Sequence, residues 1–145
     1  MHTDTEDNKP LITLDMIEAW LEQHPRHCYI DNSYAECGTP RSDCFCPVAN
    51  ALSWMYGGQW VVKDPGAHKR TSAPFPVYTH LFSPEVDLFI KLVDSIHYYP
   101  VGMWNGEIRV WHCQRMIIQV KELMRLQEPE RRYRFEYYSR LWKNT

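Results

Sequence analysis

Residues 46–63 read Cys46-Pro47-Val48-Ala49-Asn50-Ala51-Leu52-Ser53-Trp54-Met55-Tyr56-Gly57-Gly58-Gln59-Trp60-Val61-Val62-Lys63, a helix signal followed at once by a strand signal. Proline suits the first helical position because its missing N–H would be unpaired there, which makes Cys46 the cap. Val48, Ala51, Leu52 and Met55 then recur at helical spacing as a buried stripe. Gly57-Gly58 supply the positive φ that a helix exit favours. The QWVVK run over 59–63 is rich in the branched and aromatic residues of a strand. One helix, a glycine break and one strand point to helices packed on a small sheet.

The same signals recur on either side. Ser83-Pro84 opens another helix with Val86, Phe89, Ile90 and Val93 in the i, i+3, i+4, i+7 pattern. Three prolines in residues 64–82 leave room for a short or edge strand over 77–82. Residues 64–70 read as a polar surface turn, with Lys69 and Arg70 as an anion site. Residues 101–111 form a hairpin pattern about Asn105-Gly106, the pair that a type I′ turn needs. A helix over 112–127 turns Met116, Ile117, Val120 and Met124 inward. Pro129 interrupts it, and residues 130–142 form a last helix with Tyr138 and Trp142 on one side. Towards the N-terminus, Asp15 and Glu18 make a capping box for a helix that Pro25 ends. Residues 28–30 form a short strand and 31–43 a loop, while residues 1–12 are a flexible tail. The expectation is a single α+β domain over 13–145, with four to five helices on a small, mainly antiparallel sheet and a helical C-terminal extension.

Composition narrows the class of protein. With 145 residues, 44% of them hydrophobic and 14% aromatic, the chain has the apolar area of an ordinary folded domain. No stretch approaches 18 apolar residues, and the polar, acidic start MHTDTED differs from a secretory signal. A cytoplasmic protein is expected, with no membrane role. Five cysteines, an odd number, argue against a disulfide framework.

Two chemistries are written into the cysteines and histidines. His24, His27, Cys28, Cys37, Cys44 and Cys46 are zinc-ligand types, with Cys37, Cys44, Cys46 and His27 the best set. Their spacing differs from a zinc knuckle, since a single residue separates Cys44 from Cys46 and no second knuckle follows. No metal and no cofactor are therefore expected. Cys46 is also a candidate nucleophile, because a helix N-terminus stabilises a thiolate. His27, His68, His80, His97 and His112 are the bases on offer. The chain has no glycine-rich phosphate loop, no His-Glu-x-x-His and no Gly-x-Ser-x-Gly. The balance falls against an enzyme, with a cysteine-dependent enzyme using Cys46 as the third reading.

Charge is distributed unevenly. Residues 1–99 carry 13 acidic and seven basic side chains, residues 100–145 five and nine. Arg131, Arg132, Arg134, Arg140 and Lys143 crowd the last helix among aromatic rings, with Tyr137 beside them. Arginine pairs bidentately with carboxylate or phosphate, and tyrosine anchors interfaces or stacks on bases. These six residues are the expected partner-binding surface, for a protein or a protein–nucleic-acid complex, with direct nucleic-acid contact included.

Residues Cys46–Leu52, Gln59–Lys63 and Pro84–Asp94 together resemble a set of small bacterial and phage proteins. These carry a Cys-Pro-Val-Ala-x-Ala-Leu helix, a valine-rich strand and a Pro-x-Val-x-x-Phe-Ile helix. The proline-rich stretch 64–82 and the long helical C-terminus depart from that pattern. The resemblance transfers no catalytic residue. It implies a non-enzymatic protein of phage or mobile-element origin that binds and inhibits or redirects a host protein or complex, for example a bacterial defence nuclease. A zinc- or nucleic-acid-binding regulator is the alternative.

Overall fold

Ser83 and Cys46 each start a helix by the same device, a side chain that accepts the N–H three residues on, followed by proline. The computed structural model describes residues 9–23, 46–70, 78–96 and 110–143. Ser83 Oγ accepts from the Val86 N–H at 3.3 Å and Cys46 Sγ from the Ala49 N–H at 3.4 Å. The chain runs β1 (Leu11–Ile12), α1 (Leu14–Gln23), α2 (Pro47–Tyr56), β2 (Trp60–Lys63), β3 (Gly66–Lys69), β4 (His80–Phe82), α3 (Pro84–Ser95), α4 (Val110–Arg125) and α5 (Glu130–Lys143). The described residues form a single α+β domain, five helices with a four-stranded sheet.

Strand order is β1-β4-β3-β2. β3 pairs antiparallel with both β2 and β4, whereas β1 pairs parallel with β4, so the sheet is mixed. The register puts Ile12, Trp60, Val62, Ala67, His80 and Phe82 on one face. That face joins the core, where Phe89, Leu92, Met116, Val120 and Leu123 are fully buried. α3 is central, packing against α4, α5 and β4.

Several expectations need correction. Leu11 and Ile12, placed in the tail, form β1, and Ile12 is 1% exposed. α1 begins at Leu14, so Asp15 sits inside its first turn, and Glu18 bonds Lys121 of α4 at 3.1 Å instead of closing a capping box. The surface turn expected over 64–70 shrinks to Asp64-Pro65. Gly66–Lys69 is an interior strand, and Arg70 prolongs its pairing through an N–H bond to the Gln59 carbonyl at 2.7 Å. β4 is short as expected, but it is interior because β1 covers its other side. Val110 and Trp111, assigned to the hairpin, are the first residues of α4. The rest of that hairpin, the strand 28–30 and the loop 31–43 lie outside the described residues.

Candidate partner-binding face

The inner side of α5 is committed to packing. Tyr138 and Trp142 are buried, and Phe135 packs against the core beside them. Trp142 Nε1 donates to Gln119 Oε1 at 2.8 Å, and Ser139 Oγ lies 2.7 Å from Ser95 Oγ on α3. Burial pushes the Tyr138 phenol above its ordinary pKa.

Two of the six residues singled out by composition are occupied within the fold. Arg131 turns back on α4, donating from Nε to the Leu123 carbonyl at 3.0 Å and from Nη2 to the Leu126 carbonyl at 2.7 Å. A cation there gives the Leu126 carbonyl, at the helix C-terminus, a partner. It adds a second donor to the Leu123 carbonyl, which also accepts the Leu126 N–H at 3.1 Å. Arg134 pairs with Glu122 at 2.6 Å and lies over the Tyr138 ring, 5.9 Å from its centroid. The hydrogen bond with Tyr138, followed by the neighbouring charges, raises its pKa further. The expected surface therefore loses Arg131 and Arg134 as free cations.

Arg132, Tyr137, Arg140 and Lys143 remain on the outside. Arg132 leans over the Tyr133 ring at 5.3 Å, and Arg140 and Lys143 meet no acidic side chain among the described residues. The six expected residues leave out Tyr133 and Leu141. They stand one turn either side of Tyr137, and the three are 59%, 46% and 49% exposed in the order Tyr133, Leu141, Tyr137. The i, i+4, i+8 row follows once Tyr138 and Trp142 are set inward, so a helical wheel would have found it. Beside this ridge is a notch of about 250 Å³, lined by Leu126, Glu130, Tyr133, Arg134 and Tyr137.

The cysteine chemistry has less to build on. Cys46 is 5% exposed and caps α2, and Cys113 is buried in α4. Cys37, Cys44 and His27 lie outside the described residues, as does His97. Among the described residues no three histidine, cysteine or acidic side chains gather as a metal site. His68 Nδ1 is 2.9 Å from the Lys69 carbonyl, His80 packs against Tyr56 and Trp60, and His112 stacks on Trp111. Serine is itself a favoured cap, so Cys46→Ser is expected to change stability by about 1 kcal/mol or less. Thermal melting checks this, and a loss several times larger would give the sulfur a role beyond the cap.

Comparison with protein-family models, with curated proteins and with solved structures returns no match. No helix among the described residues is long and apolar enough to cross a membrane.

Proposed function

We propose that this chain works by binding rather than by catalysis, with the outer face of α5 as its contact surface. The observation that carries this reading is the exposed alternation of Arg132, Tyr133, Tyr137, Arg140 and Lys143 on a helix whose inner side already packs. Tyrosine and arginine are enriched among the few residues that carry most of the energy at protein interfaces, because both present large, partly apolar surfaces with a polar end. Folding gains little from such groups, since exposed ion pairs contribute only about 0–1 kcal/mol each. The partner is a protein or protein–nucleic-acid complex of a host cell, met in the cytoplasm. A phage or mobile-element protein that blocks or redirects a defence nuclease is one case of such a binder.

The test is a pull-down from bacterial lysate with the full chain and with Arg132→Glu/Arg140→Glu/Lys143→Glu, each with and without nuclease treatment. The wild type is expected to retain a protein partner after nuclease, and the triple variant to lose it while melting as the wild type does. A partner still held by the folded variant would place the contact surface elsewhere. A partner released by nuclease from the wild type would favour a nucleic-acid-binding regulator.

A further inference from the structure

We infer that the partner of α5 is a protein segment bearing an apolar side chain flanked by carboxylates, and that this side chain seats in the notch beside Tyr133 and Tyr137. This rests on the reading of α5 as the binding face and adds the chemistry of what binds there.

The free charges argue for protein over nucleic acid. Helix α5 carries five cations and two acids, Glu130 and Glu136. With Arg131 turned to the α4 carbonyls and Arg134 paired with Glu122, three cations remain against the two acids. Arg132, Glu136, Arg140 and Lys143 lie at i, i+4, i+8 and i+11, so they form one flank of the helix. Its order is cation, anion, cation, cation. A phosphate backbone presents a uniform row of negative charge and binds by releasing counterions to a matching row of cations. Here Glu136 would face a phosphate in the middle of that row, and like charges brought together at an interface are costly. A protein segment can vary its side chains, placing carboxylates at Arg132 and Arg140 and a hydrogen-bond donor at Glu136.

The aromatic groups point the same way. Bases stack on open, flat aromatic faces along a groove. Tyr133 has one face taken by Arg132, and with Tyr137 it edges a notch shared with Leu126. Glu130 and the already paired Arg134 line the same notch, so a phosphate entering it meets a carboxylate as well. A concave site with apolar and tyrosine walls and a charged rim is the form of an interface anchor pocket.

A random peptide library displayed on phage, selected on the immobilised full-length chain, tests this. A labelled single-stranded DNA and its duplex are titrated in parallel at physiological salt. Selected peptides are expected to share an aliphatic or aromatic residue next to Asp or Glu. The best of them, synthesised, should bind Tyr137→Ala and Arg132→Glu/Arg140→Glu at least about tenfold more weakly than wild type, a loss of about 1.4 kcal/mol. Tyr137→Phe, which keeps the ring, should bind like wild type, and all variants should melt normally. Peptides that bind Tyr137→Ala unchanged, or that lack acidic flanks, would overturn the inference. DNA binding abolished by Arg132→Glu/Arg140→Glu/Lys143→Glu would also overturn it, while leaving α5 as the contact face. If neither peptide nor DNA depends on α5, the inference and the proposed function fall together.

Discussion

Gly66→Ala is expected to destabilise the protein by about 3 kcal/mol, the upper end of what overpacking a closely packed site costs. Gly66 begins β3 and pairs with Leu81 of β4. A Cβ built on it would overlap the backbone carbonyl oxygen of His80. Backbone cannot step aside as the end of a long side chain can, so the methyl must push β3 and β4 apart. Separation would also loosen the bond from the Phe82 N–H to the Pro65 carbonyl, now 3.0 Å. Gly57→Ala is the natural comparison. Gly57 has φ +74° and open space where a Cβ would go, so alanine there meets conformational strain alone. Its cost should be nearer 1 kcal/mol. Urea denaturation of both variants separates the two mechanisms. If Gly66→Ala proves no more harmful than Gly57→Ala, the close approach of His80 is not what requires glycine.

Arg131→Ala should cost about 2 kcal/mol, because it removes two charge-assisted hydrogen bonds from the end of α4. The Leu126 carbonyl would have to find water at a half-buried corner, and the Leu123 carbonyl would keep only the Leu126 N–H. A loss of this size lowers the Tm of a domain this long by roughly 6–10 °C. Arg132→Ala, one residue on, should stay within about 0.5 kcal/mol of wild type, as exposed substitutions away from packed features usually do. Composition treats these neighbouring arginines as equals. Equal melting temperatures for the two alanine variants would mean that the α4 cap contributes nothing.

The elements legible in the sequence are those whose signals are local. A cap followed by proline marks α2 and α3, two glycines end α2, and Pro129 separates α4 from α5. Strand β3 escaped because Gly66, Ala67, His68 and Lys69 have no β-branched side chain and no alternation. They are extended because β2 and β4 hold them on both sides, a tertiary cause that propensity does not carry. Glu18 shows the same limit. Its sequence context fits a capping box, yet a lysine 103 residues away takes its carboxylate. For the candidate site, the basic and aromatic crowding of α5 was plain. Which arginines stay free was not, because that depends on where α4 ends relative to α5.

The parallel pairing of β1 with β4 has a kinetic consequence. Leu11 meets Leu81, 70 positions along the chain, while α4 and α5 are separated by a link of four residues. Closing a long loop must be paid for in chain entropy before any contact rewards it, whereas a helical hairpin gathers its contacts from near neighbours. Assembly therefore favours α4 with α5 first and α3 upon them. The two residues of β1 have little buried area of their own to draw them in and need β4 already aligned as a template. On sequence separation alone, the N-terminal strand is expected to close the sheet last, after the helical half that carries the α5 face.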